Sequence, residues 1–152
     1  MLLQPKKRKF KKSQKGRLST RLSDHQTQRG KRIRSFSLSY GDFGLVTLEP
    51  ARFTARQLEA GRRAISRSLR RTGRLWIRAF PHQPITKKST GTRMGKGKGA
   101  VSHWVSPIQP GQILYEITGV AKEKAFQAFL TASMKFPFQT KCLARREALK
   151  NS

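Results

Sequence analysis

The chain has 152 residues, of which 34 are Lys or Arg and 7 are Asp or Glu, so its formal net charge is +27. A folded domain with this charge repels itself unless a polyanion neutralises it, which favours nucleic acid as a partner and an anionic membrane as the second choice. The length suits one domain of ordinary size with a tail, and a hydrophobic share of 36% allows a modest core. The single cysteine, Cys142, excludes an intrachain disulfide and a cysteine-cluster metal site. No apolar run approaches the roughly 18 residues needed to span a bilayer.

Residues 1–34 form a basic N-terminal extension that contains 13 basic residues and one acid, Asp24. Blocks of like charge behave as disordered arms that become ordered on an anion. We therefore predict an RNA-binding arm, the alternative being a solvated tail that aids solubility. The lysine-led block at residues 6–17 lacks the apolar core of a secretory signal and the amphipathic pattern of a transit peptide.

A globular domain is predicted for residues 35–146, and its first element is predicted to be a hairpin. Phe36, Leu38 and Tyr40 alternate with serines, Gly41-Asp42 marks a turn, and a second strand follows over residues 43–48.

A first helix is predicted over residues 55–71, ending near Gly73, because Thr54 and Gln57 have the spacing of a capping box. At 100° per residue, one face of this helix carries the residues Leu58, Gly61, Ile65 and Leu69. The opposite face carries four arginines, Arg56, Arg63, Arg67 and Arg70. Guanidinium groups suit bidentate contact with phosphate, so this face is a candidate RNA-binding surface; the alternative is an ordinary solvated face.

A strand is predicted next, over residues 74–80. The segment that follows it is the most informative part of the chain. A long loop is predicted over residues 81–100, and it contains the run Arg93-Met94-Gly95-Lys96-Gly97-Lys98-Gly99. Glycine allows close approach of the backbone to a ligand, and each lysine supplies a mobile positive charge. We interpret the loop as a functional arm, the alternative being a flexible surface loop. Its glycines match neither the dinucleotide-binding fingerprint nor the P-loop pattern.

The C-terminal third is predicted to contain two strands, a helix and a closing strand. The strands, at residues 101–108 and 112–117, are joined by a Pro-Gly turn at residues 109–111. The helix is predicted over residues 121–135 and the closing strand over residues 138–145, with a tail at 147–152. The inward side of the helix is predicted to consist of Ala125, Phe126, Phe129, Leu130 and Ser133. Hairpin-connected strands with two interspersed helices indicate an α+β domain with a mostly antiparallel sheet.

Nothing in the sequence indicates a catalytic or cofactor site. His25, His82 and His103 share no metal-ligand spacing with each other or with Cys142, and no two acids lie close in sequence. A lone thiol on a predicted strand is more often a small core residue than a nucleophile. We expect no enzymatic activity, no metal and no cofactor.

The sequence resembles the L-sixteen family of large-subunit ribosomal proteins. The resemblance includes Gly41-Asp42-Phe43-Gly44-Leu45 and the run 93–99, and extends over residues 1–10, 15–17, 54–60, 62–64, 76–78, 84–86, 108–111 and 114–116. It implies an α/β-hammerhead-type domain bound to large-subunit ribosomal RNA, with the loop that bears Arg93 reaching toward the peptidyl-transferase cleft and transfer RNA. It also implies that Arg93 is a candidate for hydroxylation. Residues 18–34 and 142–152 depart from the family pattern.

The resemblance leads to a prediction of function and location. Because it begins at residue 1, we expect no cleaved targeting peptide, as in a bacterial or organelle-encoded protein. Glu49-Pro50 and the heavy charge favour plant mitochondrial members, with the bacterial cytoplasm as the other location. We predict a structural constituent of the large ribosomal subunit whose partners are ribosomal RNA, transfer RNA and neighbouring ribosomal proteins, with no membrane and no small-molecule substrate. The alternatives are a free RNA chaperone, a cationic membrane-surface protein and, last, an RNA-modifying enzyme.

The predicted site residues fall into two groups. The first group consists of basic residues expected to bind ribosomal RNA: Lys6, Lys7, Arg8, Lys9, Lys11, Lys12, Lys15, Arg17, Arg56, Arg62, Arg63, Arg67, Arg70 and Arg71. The second group, expected to lie near transfer RNA, is Arg93, Met94, Gly95, Lys96, Gly97, Lys98 and Gly99.

Overall fold

A computed structural model describes residues 4–18 and 37–145 of the chain. The elements of these residues are, in order, β1 Phe43–Thr47, β2 Ala51–Thr54, α1 Ala55–Ser68, β3 Arg74–Ile77, β4 Gln83–Lys87, β5 Ala100–Ile108, β6 Ile113–Thr118, α2 Lys122–Ser133 and β7 Thr140–Ala144. The strands form a four-stranded sheet of order β3-β6-β1-β7 and a three-stranded sheet of order β2-β5-β4. All five strand pairs are antiparallel, which confirms the predicted α+β class with two helices. The predicted ends of the N-terminal extension and of the domain, residues 34 and 146, lie outside the described residues.

The two faces of the four-stranded sheet have different roles. Residues directly opposite each other on antiparallel strands share a face, so the strand register defines one row of side chains per face. The row that belongs to the hydrophobic core consists of Leu75, Ile117, Phe43 and Ala144. The row on the other face consists of Trp76, Glu116, Gly44 and Leu143.

The capping box predicted at the start of α1 is confirmed. The Thr54 hydroxyl accepts a hydrogen bond from the Gln57 backbone N–H at 3.2 Å, and the Gln57 side chain accepts one from the Thr54 N–H at 3.0 Å. The predicted inward face is also confirmed, since all four of its residues are buried. The helix ends at Ser68 rather than at residue 71, because Arg70 and Arg71 adopt left-handed backbone angles, with φ of 50° and 65°.

The inward face of α2 differs from the prediction. Ala128 and Ala132 are fully buried, whereas Leu130, predicted to face the core, is 52% exposed. Small residues let α2 pack closely against α1, so the helix turns its alanines rather than its longer side chains toward its neighbour. Ala125 and Phe129 are buried as predicted.

The predicted first hairpin is wrong. Residues 37–42 contain no strand, and β1 pairs with β6 and β7 instead of with the segment before it. Phe36, part of that prediction, lies outside the described residues. The sequence reading also missed β2, which follows Pro50 directly and pairs with β5 more than 50 residues later in the chain.

The predicted long loop is shorter than expected, whereas the predicted Pro-Gly turn is confirmed, since the Gln112 N–H donates to the Gln109 carbonyl at 3.1 Å. Strand β4 lies within residues 81–100 and pairs with β5, so the irregular part covers residues 88–99. Strands β5 and β6 exist as predicted but belong to different sheets. The turn therefore carries the chain from one sheet to the other; its Gly111 has φ of 82°, and the Gly111 N–H donates to the Thr47 carbonyl at 2.8 Å.

Candidate nucleic-acid interface

The N-terminal arm, residues 4–18, is fastened to the three-stranded sheet by its own backbone carbonyls. Arg52 of β2 donates through Nη2 to the carbonyl of Gly16 at 2.8 Å. Gln83 of β4 donates through Nε2 to the carbonyl of Lys15 at 3.1 Å. Strands β2 and β4 flank β5, so the arm is held from both edges of the sheet.

This mode of attachment leaves most charged groups of the arm unpaired, although Arg8 donates through Nη1 to the His82 carbonyl at 2.5 Å. The sheet holds carbonyl groups, and the eight predicted basic residues of the arm are all exposed: Lys6, Lys7, Arg8, Lys9, Lys11, Lys12, Lys15 and Arg17. The Arg8 guanidinium additionally lies 5.6 Å from the centroid of the Trp104 ring. The arm therefore presents a row of cations on an ordered backbone.

The arm also contacts the glycine-lysine loop, which is distant in sequence. Lys12 donates through Nζ to the Lys98 carbonyl at 2.9 Å, and Lys98 donates through Nζ to the Ser13 carbonyl at 2.6 Å. The first contact joins residues 86 positions apart. Two segments predicted as separate RNA-binding elements thus form one continuous basic surface.

The loop is the tip of the β4–β5 hairpin. Its residues 93–98 are exposed, and the Met94 side chain is 93% exposed. Gly95, Lys96 and Gly97 have φ values of 94°, 52° and 77°, in the left-handed region where glycine is favoured. At the base of the tip, a Cβ on Gly99 would lie 2.7 Å from the Lys87 carbonyl oxygen, so the close approach of the two strands requires glycine there.

The predicted basic face of α1 is exposed, but part of its charge is paired. Arg56, Arg63 and Arg67 are exposed on the helix, and Arg70 and Arg71 are exposed just beyond its end. Glu59 forms salt bridges with Arg62 at 2.7 Å and with Arg63 at 2.9 Å. The hydrogen bond from Arg62 is the main cause that lowers the pKa of Glu59 to about 2.

Glu116 organises the segment before β1, a feature that the sequence reading missed. Its side chain is fully buried, and Oε2 accepts hydrogen bonds from the N–H groups of Tyr40 and Gly41, each at 2.7 Å, and of Ser39 at 3.2 Å. Arg78 pairs with the other carboxylate oxygen. Burial by itself raises the pKa of Glu116, but the three N–H donors and the Arg78 charge more than offset it, so the pKa lies below its usual value.

The residues considered for catalysis or metal binding are dispersed. Among residues 4–18 and 37–145, no three His, Cys, Asp or Glu side chains come together as metal ligands. Burial raises the pKa of the half-buried Cys142 thiol. His25 lies outside the described residues. In the same part of the chain, no helix is both long and apolar enough to cross a membrane.

Sequence reasoning also missed Arg52 and Gln83, whose side chains hold the arm on the three-stranded sheet. Both lie in strands that no strong local pattern indicates, and a single Arg or Gln carries no signal that distinguishes a backbone clamp from a surface residue. Their role depends on which strands become neighbours of β5.

A small antiparallel α+β scaffold that exposes an ordered basic arm beside a basic hairpin tip is typical of polyanion-binding proteins. The family model described as Ribosomal protein L16p/L10e matches residues 5–143, and the chain belongs to this family. It is 52% identical over 139 residues to the large ribosomal subunit protein uL16 of Francisella tularensis subsp. holarctica (strain FTNF002-00 / FTA), covering 91% of this chain and 94% of that protein. Identity and coverage are the same for uL16 of Francisella philomiragia subsp. philomiragia.

These matches confirm the resemblance found in the sequence and place the chain among structural proteins of the large ribosomal subunit. Both of these relatives are bacterial, so the preference for plant mitochondrial members receives no support.

Proposed function

We propose that the protein binds large-subunit ribosomal RNA through its arm and the exposed arginines of α1, and presents the loop tip at residues 88–99 to transfer RNA near the peptidyl-transferase region. Neighbouring ribosomal proteins complete its surroundings in a ribosome of bacterial type. The observation that carries the proposal is the pair of contacts that joins arm and loop into one surface: Lys12 donates to the Lys98 carbonyl, and Lys98 donates to the Ser13 carbonyl.

The mechanism is positional and electrostatic. Exposed ammonium and guanidinium groups neutralise converging phosphates and release their counterions. Arg52 and Gln83 already hold the arm through its carbonyls. Less of the binding free energy is therefore needed to order the arm when RNA binds. RNA bound to the arm then also fixes the base of the loop.

The electrostatic premise is tested by the salt dependence of binding to large-subunit core particles stripped of this protein. If binding neutralises roughly 6–10 phosphates, raising the salt concentration from about 50 to about 200 mM should lower the affinity by about 10³- to 10⁵-fold. Lys9→Gln should reduce the slope of log affinity against log salt by about 1. Lys124→Gln removes an exposed cation of α2 and should leave the slope unchanged. A flat salt dependence of the wild-type protein would contradict the proposal.

The role of the loop is tested with substitutions that spare the arm. Lys98 holds the arm through Ser13, so a Lys98→Ala change mixes loop and arm effects. The double variant Arg93→Ala/Lys96→Ala removes two exposed loop cations and keeps that contact. We expect normal incorporation into large subunits on sucrose gradients and slower transfer-RNA accommodation in translating ribosomes.

Two results would refute the roles assigned here. Ribosomes that carry the double variant and accommodate transfer RNA at the wild-type rate would show that the loop does not act on transfer RNA. A wild-type chain that sediments mainly apart from ribosomes would instead indicate a free RNA chaperone.

A further inference from the structure

Tyr40 lies on the face of the four-stranded sheet that carries Trp76 and Glu116, whereas the arm contacts and the loop belong to the three-stranded sheet. Strand side chains alternate, so Arg74, Trp76 and Arg78 project from one face of β3, opposite Leu75 and Ile77 of the core. The Tyr40 ring stacks on Trp76, with centroids 6.1 Å apart and planes 21° from parallel. The Arg78 guanidinium carbon lies 5.0 Å from the centroid of the Tyr40 ring.

The ring is nevertheless largely in solvent. Tyr40 is 60% exposed although it covers both Trp76 and Arg78. Trp76 of β3 and Arg78 just beyond it project from the same side of the chain, so both approach the ring from the sheet, and 60% of Tyr40 is left to solvent. We call this supported and largely exposed ring the aromatic platform.

The platform is held in place by the backbone beneath it. Glu116 accepts hydrogen bonds from the N–H groups of residues 39, 40 and 41, and a Cβ on Gly41 would lie 2.7 Å from the Ile117 carbonyl oxygen. The segment therefore lies directly against β6. A ring that is already fixed loses little conformational entropy when a ligand stacks on it.

The charge around the platform is positive toward solvent. Arg74 is exposed at the start of β3, and Arg145 donates through Nη2 to the Leu38 carbonyl at 3.1 Å. Of the nearby acids, Glu116 is buried and paired, and the Asp42 carboxylate accepts a hydrogen bond from the Thr118 hydroxyl. A ligand suited to this surface has a flat π face and a negative charge beside it, which describes an unpaired nucleotide.

We propose that the exposed face of Tyr40 is a stacking site for an unpaired nucleobase of RNA, with the Arg74 guanidinium contacting the adjoining phosphate. The proposal rests on the proposed function, because ribosomal RNA supplies the base. The other predicted contacts recognise phosphate charge, whereas this contact would recognise the base of an unstacked nucleotide. Strand β3 thereby becomes a third contact region beside the arm and the loop.

The first experiment uses the wild-type protein in intact large subunits. Ultraviolet irradiation followed by nuclease and protease digestion should yield the peptide that contains Tyr40 with a covalently attached nucleotide. A Tyr40 peptide free of nucleotide, while peptides of the basic arm carry one, would overturn the proposal. Chemical cross-links from the Arg74–Arg78 region to another ribosomal protein in place of RNA would also overturn it.

The second experiment compares variants in rebinding to core particles stripped of this protein. Tyr40→Phe keeps the ring and should bind as the wild type does. Tyr40→Leu keeps an apolar cover on Trp76 but removes the π face, so its dissociation constant should rise at least about fivefold. Phe80→Leu is the matched control, because Phe80 is 42% exposed and lies outside the stack.

The outcomes separate this inference from the proposed function. Equal binding by Tyr40→Leu and the wild type refutes the stacking site alone, whereas failure of the wild type to rebind refutes the proposed function. Loss of binding in both Tyr40→Leu and Tyr40→Phe would assign the contact to the hydroxyl and also refute stacking. Thermal unfolding of each variant shows whether it folds normally. If a variant has a folding defect, the ultraviolet cross-link formed by the wild-type protein tests the stacking site.

Discussion

Replacing Glu116 by glutamine should destabilise the free protein more than the same change at the exposed Glu49. The buried carboxylate accepts three backbone N–H groups and pairs with Arg78. A glutamine of the same shape keeps one oxygen but places an NH₂ donor against these donors. The charge that compensates Arg78 is lost as well.

The magnitude follows from the number and type of contacts. Hydrogen bonds to a charged group contribute about 1.5–3 kcal/mol, which sets the expected loss for Glu116→Gln. Truncation to alanine leaves Arg78 and the three N–H groups without their acceptor and should cost about 3–5 kcal/mol. Either value is a large part of the about 5–15 kcal/mol by which a domain is typically stable.

The free energy of unfolding is measured by urea titration at a salt concentration that screens the net charge. Glu49→Gln is the matched control, because it makes the same change of charge at an exposed side chain. We expect its free energy of unfolding to equal that of the wild type. A Glu116→Gln protein that is as stable as this control would refute the view that the carboxylate fixes residues 39–41.

The pH dependence provides a second test with a defined sign. The folded-state pKa of Glu116 lies below the ordinary value of 4.5, so the group stabilises the fold fully above that pH. This stabilisation is lost as the pH falls from 4.5 toward the lower, folded-state pKa. The difference in stability between wild type and Glu116→Gln should therefore shrink below pH 4.5, and a difference that widens there would reverse the assignment.

Two further substitutions test other parts of the structure in the same urea assay. Arg70→Gly should stabilise the free protein by up to about 1 kcal/mol, because φ of 50° disfavours residues that have a Cβ. The loss of the cation should at the same time weaken binding to core particles. A variant as stable as the wild type would show that the angle carries no strain. Tyr115→Phe should cost about 1 kcal/mol, because the buried hydroxyl donates to the Leu58 carbonyl at 2.7 Å. Burial also raises the pKa of Tyr115, so the wild type should lose stability above pH 10.0 through this group and the phenylalanine variant should not; parallel alkaline curves would contradict this.

The features predicted correctly are those that local rules determine. The capping box of α1 and its buried stripe depend on residues three and four positions apart, which the sequence displays directly. Strands β2 and β4 were missed because each is short and is stabilised by β5, which is distant in the chain; β4 also contains Pro84. The inward face of α2 was misjudged at Leu130 because packing against α1, rather than hydrophobicity alone, sets its rotation.

By itself the sequence determined the net charge, the position of the two helices, the glycine-lysine loop and the ribosomal family, since composition, helical period and motif spacing are local properties of the chain. Tertiary structure decided which cations remain exposed, how the arm meets the loop, and that Glu116 fastens the segment that carries Tyr40. These outcomes depend on backbone groups and side chains that become neighbours only when distant strands pair. Such contacts contribute free energy only after the chain between their partners has been closed into a loop, so they leave no pattern in the local sequence.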